Sequence, residues 1–510
     1  MIAPTEIMPP GTGANLSGLI AQVGRGQGYA LILGATRHAE PIATGLSEAG
    51  WTVVVADNDP RTHGRPIGPA RCTSFDEAMA ADPAVVVCAA EQGRAALLWQ
   101  LVRHPAYRNQ RVHQVIRPDA DARATPSFES MTLDRDDVDV ALEWLDAPHR
   151  WEDDEEARVF AEEFAAWNGS ARAWAFMSGR EALSACLTAL DLEPGDQVLV
   201  PGYTCVAVDN AVRFAGLVPV YGDIELETYG LDVASVASRI GPRTRALVLP
   251  HHYGLVSRDY LELLDLARRR GVRVVEDCAH ATGATLGGRR VGTRGDVAFY
   301  SSEQSKVFNT TSGGLAVTDD PRLAARLDAC HRSAGQADPE TQTRAVCSVI
   351  LNYYSLKHPC RDWTCDVVQA RYGAWRLQTT TREEIRGERP PYYGRRMPAP
   401  VAAIGRNQLR KLDACNARRR AGAARWESWA RETGRPRPTV IPESTPVFLR
   451  YPTRVEPARK RDLGWAASEL GVPVGVWFRT HLHPSDRVVP DCPRATEAVE
   501  TCINLPCLLE

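Results

Sequence analysis

The chain has 510 residues, of which 44% are hydrophobic and 24% charged, and its formal net charge at pH 7 is −3. These proportions are typical of globular proteins and predict about two to four domains, without the basic field that nucleic-acid binding needs. No apolar run approaches the ~20 residues of a membrane-spanning helix, and the N-terminus shows no secretory signal, so we expect a cytoplasmic protein that does not bind membranes. The 13 cysteines are scattered without metal-ligand spacing, which predicts reduced thiols and no metal site.

The first part of the chain, residues 1–120, predicts a Rossmann-like α/β domain that binds a nucleotide or a related ligand. Apolar strands (YALILGA, WTVVVADNDP, AVVVCAA) alternate with the helix HAEPIATGLSEAG, which is the pattern of a parallel sheet covered by helices. Gly34 opens a possible dinucleotide loop, and Asp57 ends the second strand where a ribose-binding acid would lie. The loop reads GATRHA rather than GxGxxG, so a nicotinamide cofactor, another nucleotide ligand and a purely structural role all stay open.

Three further segments follow along the chain. Residues 121–150 are polar and acidic and predict a linker. In residues 151–390, short apolar strands such as RALVLP and VRVVED alternate with helices, which predicts a large α/β domain whose ligand lies at the carboxyl ends of the strands. The long basic helix AAIGRNQLRKLDACNARRRAGAARWESWA and the elements after it predict a small C-terminal α/β domain, 391–510.

Asp277 and Lys306 are the pair of residues that points most directly to a chemistry. Asp277 ends the apolar strand VRVVED, and Lys306 follows in the polar loop SSEQSK. A lysine can form an imine with the aldehyde of pyridoxal 5′-phosphate, and an aspartate can hold the proton on the pyridine nitrogen of that cofactor. The pair therefore predicts a pyridoxal-phosphate enzyme. The same two residues could also be an aspartate that caps a turn and an ordinary surface lysine.

Other residues could complete such a site. Gly179, at the start of the helix SGREAL, would let a phosphate approach the backbone N–H groups of the first turn. His280 could pack on the cofactor or bond its O3′, and the hydroxyl of Ser301 could contact the phosphate. His252 and His483 are candidates for substrate contact. For each of these residues a structural role, such as an ordinary helix start or a hydrogen-bonded core histidine, stays open.

The segments from about residue 170 to the C-terminus together resemble the DegT/DnrJ/EryC1/StrS aminotransferase family, whose members act mainly on nucleotide-linked keto sugars. The similar segments include SGREAL, LEPGDQVLVPGYT, VVEDCAHATGATLGGRRVG, GDVAFYSSEQSK and RRMPAPVAAIGRNQLRKLD. The resemblance implies the aspartate-aminotransferase fold (fold type I) and a homodimer with active sites at the subunit interface. The segment before residue 120 looks more loosely like the Rossmann-type domain at the front of some sugar acetyltransferases.

The resemblance also implies roles for individual residues. Lys306 would bind the cofactor covalently and move protons, and Asp277 would pair with the pyridine nitrogen. The other cofactor-binding residues implied are His280 near the ring, Ser301 at the phosphate, and Gly179 with Arg180 at the start of the helix.

This chain departs from the family pattern at several places. Cys205 in PGYTC stands where family members have an aromatic residue over the pyridine ring, so stacking would have to come from elsewhere, for example from Tyr203. Gly394 stands where an asparagine of the other subunit usually reaches the phosphate, and TSGG replaces the family's GEGG after the lysine. Arg180 or Arg396 could replace the lost phosphate contacts, and Arg396 is also a candidate for substrate contact.

The resulting prediction is a pyridoxal-phosphate-dependent aminotransferase that moves an amino group from an amino acid, such as glutamate, to a keto-sugar or cyclitol acceptor, which we expect to be nucleotide-linked. Two rivals stay open: a pyridoxal-phosphate enzyme of another reaction type, such as a dehydratase or a natural-product tailoring enzyme, and a regulatory protein that has lost activity. A bifunctional protein with an oxidoreductase domain in residues 1–120 is a lesser variant.

Overall fold

The structure is a computed structural model that describes residues 14–36, 38–90, 94–107, 111–114, 132–353, 368, 377, 379–391 and 393–508. The chain divides into two compact units. Unit 1 comprises Met1–Thr125 and Ile350–Trp375, and unit 2 comprises Pro126–Val349 and Arg376–Glu510.

Unit 1 contains a six-stranded sheet with helices between its strands. Its order is β3-β4-β2-β1-β5-β6, and every neighbouring pair is parallel except β3 with β4. The central strands are continuous apolar runs buried on both faces, as expected of a parallel sheet covered by helices. The strands are β1 Tyr29–Leu33, β2 Thr52–Ala56, β3 Pro66–Ile67, β4 Ala70–Thr73, β5 Val85–Cys88 and β6 Arg111–Gln114, and the helices are Ala14–Val23, Ala39–Glu48, Phe75–Ala80 and Arg94–Arg103.

Unit 2 is built on a seven-stranded sheet in the order β10-β8-β11-β12-β15-β16-β7. The strands from β10 to β15 run parallel, whereas β16 is antiparallel to both of its neighbours. The carboxyl ends of the parallel strands consequently lie along one edge. The strands of this sheet are β7 Arg172–Phe176, β8 Gln197–Pro201, β10 Val218–Gly222, β11 Thr244–Pro250, β12 Arg273–Asp277, β15 Val297–Ser301 and β16 Gly314–Thr318.

Smaller sheets and many helices complete unit 2. The short strands are β9 Thr204–Cys205, β13 Thr285–Leu286, β14 Arg289–Arg290, β17 Ser444–Thr445, β18 Arg450–Arg454, β19 Leu482–His483 and β20 Cys502–Pro506. The helices after residue 132 are Arg135–Leu145, Glu155–Asn168, Gly179–Ala189, Val206–Phe214, Val233–Arg239, Tyr260–Arg270, Pro321–Ser333, Pro339–Asn352, Arg382–Arg386, Ala399–Glu432, Pro457–Arg461, Gly464–Leu470 and Pro493–Thr501. Across the described residues, none of the helices combines the length and the apolar character needed to cross a bilayer.

Part of the segment 121–150, which was expected to be a linker, is helical in the structure. Residues Arg135–Leu145 form a helix that begins with a capping box, in which Asp137 accepts the backbone N–H of Asp134 at 2.8 Å. The apolar side chains of Val138 and Leu142 lie four residues apart and are buried, since this spacing places them on one face of a helix. The acidic residues around them, such as Asp134, Asp136 and Asp137, gave the segment the composition of a linker.

Candidate functional site

The carboxyl ends of β11, β12 and β15 open into one cavity of about 250 Å³ in unit 2. This is the edge at which open α/β sheets bind ligands. The sequence-predicted residues that line the cavity are Gly179, Arg180, Cys205, His252, Asp277, His280, Ser301, Lys306 and His483. Tyr203 and Arg396 do not line it, and Gly34 and Asp57 belong to unit 1.

The Lys306 amine lies inside this cavity, close to aromatic rings. Its Nζ is 3.1 Å from Nε2 of His280 and 4.5 Å from the centroid of the Trp477 ring. Burial lowers the pKa of Lys306 against the opposing effect of the nearby Glu303, Cys205 and Asp277. A buried amine with a lowered pKa is a better nucleophile and base than a surface lysine.

The hydrogen bonds of His280 indicate the protonation state of this lysine. Nδ1 of His280 accepts the backbone N–H of Tyr253 at 3.4 Å, so the neutral imidazole carries its hydrogen on Nε2. Nε2 then donates to Nζ of Lys306, and an amine can accept that hydrogen bond only when it is unprotonated. Burial also lowers the pKa of His280, which keeps the ring neutral.

Asp277 presents a buried carboxylate at the end of β12. Among the described residues, its side chain receives one recorded hydrogen bond, from the backbone N–H of Ala279 to Oδ1 at 3.0 Å. Burial raises the pKa of Asp277 to about 6. Within the described part of the chain no cation lies at hydrogen-bond distance from this carboxylate, and a protonated ring nitrogen in the cavity would supply one.

The start of the helix Gly179–Ala189 also lines the cavity. Ser178 caps this helix by accepting the backbone N–H of Glu181 at 3.3 Å. The backbone approaches its neighbours closely: a Cβ at Gly179 would lie 2.8 Å from Cβ of Ser301, and one at Gly314 would lie 2.5 Å from the backbone of Gly179. Glycines at these positions bring the first-turn N–H groups next to the Ser301 hydroxyl, an arrangement suited to a phosphate.

Arg180 lies at the same helix start, but its guanidinium already has partners within unit 2. It forms an ion pair with the carboxylate of Glu384 and donates to the backbone carbonyl of Thr379. Arg396, the other arginine suggested for the phosphate, does not line the cavity, and its Nη1 donates to Asp154 at 2.5 Å. Its backbone forms an isolated bridge with Phe176.

Tyr203 does not stack over the cavity as the sequence suggested. Its ring is fully buried, and its hydroxyl accepts the backbone N–H of Phe478 at 2.9 Å and lies 3.0 Å from the carbonyl of Trp477. The aromatic rings at this side of the cavity come instead from Trp477 and Phe478. Sequence reasoning missed both residues, and no local pattern around GVWFRT distinguishes them from ordinary core aromatics.

Cys205, His252 and His483 line the cavity on neighbouring segments. The short strand β9 pairs with β19 so that Cys205 lies opposite His483. Burial raises the pKa of Cys205 and lowers the pKa of both histidines to about 4, so all three side chains are neutral near pH 7. Nε2 of His252 lies 2.9 Å from the carbonyl of Tyr203, which commits that nitrogen to a structural bond.

Glu276, next to the catalytic candidate Asp277, is buried for a structural reason. Its two oxygens accept hydrogen bonds from the Tyr260 hydroxyl at 2.6 Å and from the backbone N–H groups of Gly292, Arg294 and Gly295. His251 and Cys278 lie close enough to Glu276 to form a group of potential metal ligands. The donors around the carboxylate already satisfy its oxygens. We therefore interpret His251, Glu276 and Cys278 as part of a structural hydrogen-bond network.

Comparisons with known proteins identify the family of the part of the chain that contains this cavity. The profile described as the DegT/DnrJ/EryC1/StrS aminotransferase family matches residues 133–510. The chain is 42% identical over 171 residues to an L-glutamine:scyllo-inosose aminotransferase of Streptomyces griseus, covering 34% of this chain and 40% of that protein. It is 38% identical over 173 residues to a UDP-N-acetyl-3-dehydro-alpha-D-glucosamine 3-aminotransferase of Acidithiobacillus ferrooxidans, covering 34% and 47%. The chain thus spans less than half the length of these curated relatives.

Among solved structures, the fold matches DesV of S. venezuelae, which was crystallised in complex with a ketimine intermediate. The TM-score is 0.55 at 30% identity, and the match covers 73% of this chain and 89% of DesV. Unit 2 therefore has the α/β fold of the fold-type-I sugar aminotransferases.

Proposed function

Because the chain belongs to the DegT/DnrJ/EryC1/StrS aminotransferase family, we propose that it is a pyridoxal-phosphate-dependent aminotransferase. It moves an amino group from an amino acid, such as glutamate or glutamine, to the ketone of a sugar or cyclitol. The observation that carries this proposal is the presence of the Lys306 amine and the Asp277 carboxylate in one cavity that also contains a helix start suited to a phosphate. The named relatives act on acceptors of both kinds.

The residues around the cavity fit the three parts of this cofactor. The amine of Lys306 would hold it covalently, Asp277 would accept the N–H of its pyridinium ring, and Gly179 with Ser301 would bind its phosphate. When bound, pyridoxal phosphate supplies an aldehyde that joins amines and a ring that withdraws electrons from the adjacent carbon. Asp277 makes this withdrawal effective, because an ionised carboxylate keeps the ring nitrogen protonated.

Lys306 would carry the proton in both halves of the reaction. It takes a proton from the α-carbon of the amino donor, and it returns a proton to the acceptor carbon in the second half. A base must be neutral to do this, and burial together with the hydrogen bond from His280 favours the neutral amine. His280 thereby acts as the residue that orients Nζ.

The test follows the visible absorbance of the loaded enzyme when amino donors are added. The wild-type protein is expected to lose the absorbance of the lysine-bound aldehyde with glutamate or glutamine, and to regain it when a keto acceptor is added. Lys306→Ala should abolish turnover, by about 10³-fold or more. Lys306→Arg is a second test variant, because it keeps a long nitrogen-bearing side chain at this position but can form no imine, and it should also be inactive.

The same experiment separates the two rival functions. An enzyme of another reaction type would bind the cofactor at Lys306 but would form no pyridoxamine phosphate with any amino acid. A regulatory protein without activity would show no absorbance of the bound aldehyde even after cofactor is added. Either result would end the aminotransferase proposal. We also propose a homodimer, as the family resemblance implies, and light scattering of the purified protein measures this directly.

We further propose that unit 1 is a Rossmann-like domain that binds a nucleotide-containing ligand. Its parallel strands have the order β4-β2-β1-β5-β6, so the order reverses between β1 and β5. Gly34 follows β1 with φ +94°, and Asp57 accepts the backbone N–H of Ala35 at 2.7 Å at the same edge. Thermal-shift measurements with nucleotides and nucleotide sugars test the proposal: a stabilisation that Asp57→Ala abolishes supports it, and the absence of any stabilisation contradicts it.

A further inference from the structure

Trp477 forms an aromatic wall next to the amine of Lys306. The centroid of its ring lies 4.5 Å from Nζ, and the ring stacks on His280 with centroids 4.7 Å apart and planes 9° from parallel. A substrate ring that lies beside Nζ on this side of the amine would come within van der Waals reach of this indole. The wall is therefore placed to contact a flat or ring-shaped part of a substrate near its reacting carbon.

The segment Trp477–Phe478 is held rigidly from behind. The carbonyl of Trp477 accepts hydrogen bonds from the Tyr203 hydroxyl at 3.0 Å and from Nδ2 of Asn504 at 2.8 Å, and Tyr253 also donates to it. The backbone N–H of Phe478 donates to the Tyr203 hydroxyl at 2.9 Å. Multiple buried donors on one carbonyl fix the backbone, so the indole is positioned before substrate arrives.

Two cations support the same segment. The guanidinium carbon of Arg450 lies 3.4 Å from the centroid of the Trp477 ring, and Nη1 of Arg450 donates to Oδ1 of Asn504 at 3.0 Å. Nζ of the buried Lys460 donates to the carbonyl of Phe478 at 2.9 Å. The stacked guanidinium of Arg450 limits the tilt of the indole, because a tilted indole would lose this cation–π contact.

The surroundings of the wall are polar. Glu303 and Ser305 line the cavity on the lysine loop, and Thr379 and His483 line it from other segments. An aromatic face beside hydroxyl and carboxylate groups suits a molecule that is apolar on one face and polar at its edge. A six-membered polyhydroxylated ring has this character, because its C–H bonds form the face and its hydroxyl groups form the edge.

We infer that Trp477 is the residue that selects ring-shaped acceptors: its indole packs against the C–H face of a six-membered polyhydroxylated ring ketone whose carbonyl carbon lies beside Nζ of Lys306. The inference rests on the proposed aminotransferase function and adds the residue that determines acceptor class. An open-chain amino donor or keto acid has no such face. It should therefore depend little on the indole.

The experiment measures the second half-reaction of the cofactor-loaded enzyme after conversion to its amine form with L-glutamine. Return of absorbance is followed with ring ketones (scyllo-inosose and nucleotide-linked 3-keto and 4-keto hexoses) and with an open-chain acceptor, 2-oxoglutarate. Trp477→Ala should lower kcat/KM for the ring ketone by about 10- to 100-fold, and Trp477→Phe by less, since a smaller ring remains. The value for 2-oxoglutarate should change by less than about 3-fold.

A binding measurement without turnover accompanies the kinetics. Lys306→Ala loaded with pyridoxamine phosphate should show a rise in melting temperature with the ring ketone, and adding Trp477→Ala to it should remove that rise. Trp167→Ala is the matched control, because Trp167 is also half-buried and carries a stacked arginine, Arg290 at 4.0 Å, but does not line the cavity. This control should leave the ratio of kcat/KM for the ring ketone to kcat/KM for 2-oxoglutarate unchanged.

The outcomes are distinguishable. Equal losses for ring and open-chain acceptors would show that Trp477 positions the cofactor rather than selecting the acceptor, and would overturn the inference. A wild-type enzyme that uses 2-oxoglutarate but none of the ring ketones would overturn it as well. If the wild-type protein never reaches the amine form with any donor, the proposed function itself fails.

Discussion

Asp277 gives the sharpest prediction, because its ionised carboxylate destabilises the cofactor-free fold and yet is required to bind the cofactor. Burial raises its pKa from 3.8 to about 6 in the folded protein. The folded state thus favours the protonated acid, and this contribution to stability is present below pH 3.8 and is lost as the pH rises through about 6. A pKa difference of roughly two units between the unfolded and folded states destabilises the folded protein by about 3 kcal/mol at pH 8, and by about half of that at pH 5.

Asp277→Asn removes the buried charge and keeps an acceptor oxygen for the N–H of Ala279. The cofactor-free variant is expected to be more stable than the cofactor-free wild type by about 2–3 kcal/mol at pH 8, with the difference roughly halved at pH 5. Urea unfolding at the two pH values measures both quantities. Asp265→Asn, at an exposed helix position with a surface ion pair, is the control and should change stability by less than about 1 kcal/mol.

Saturation with pyridoxal phosphate should reverse the order of stability. The wild-type protein gains the binding free energy of a carboxylate–pyridinium pair, whereas the amide variant does not. The reasoning would be refuted if the cofactor-free Asn variant were less stable than the wild type at pH 8, or if the difference did not depend on pH.

Three further substitutions test other parts of the site. Gly314→Ala places a Cβ 2.5 Å from the backbone of Gly179, so we expect a loss of about 1–3 kcal/mol in urea unfolding and weaker cofactor binding, whereas Gly335→Ala, which meets no atom within 4 Å, should do neither. Tyr203→Phe removes the hydroxyl that bonds the backbone of Trp477 and Phe478, and should lower the free energy of unfolding by about 1–3 kcal/mol. The absorbance of the bound cofactor should persist, and its loss would contradict the assigned role. Glu276→Gln leaves at least one of several backbone donors without an acceptor and should destabilise the fold by about 3 kcal/mol or more in the same assay, and an unchanged midpoint would refute the structural reading.

Much of the site could be predicted from the sequence, because its key residues are tied to local patterns. Asp277 ends an apolar strand and Gly179 opens an amphipathic helix, and the parallel sheet then brings strand ends and helix starts to one edge. The lysine loop follows the next strand of the same sheet. Such residues are located once the order of the elements is known.

The rest of the site depends on contacts between distant segments, which no local pattern encodes. Trp477 reaches the cavity because its carbonyl is bonded by Tyr203, which lies 274 residues earlier in the chain. Arg180 is withdrawn from the phosphate role by Glu384, 204 residues later. Tyr203 was one possible residue for the ring face, but it does not line the cavity, and its hydroxyl bonds the backbone of Trp477 and Phe478. These outcomes follow from packing of whole elements and not from residue type.

The central claim is that the amine of Lys306 holds the cofactor covalently. Reduction of the loaded protein with borohydride, followed by proteolysis and mass spectrometry, tests it directly. We predict one pyridoxyl group per chain, on the peptide that contains Lys306, and none after Lys306→Arg. A label on another lysine, or no label on a protein that has bound the cofactor, would contradict the account.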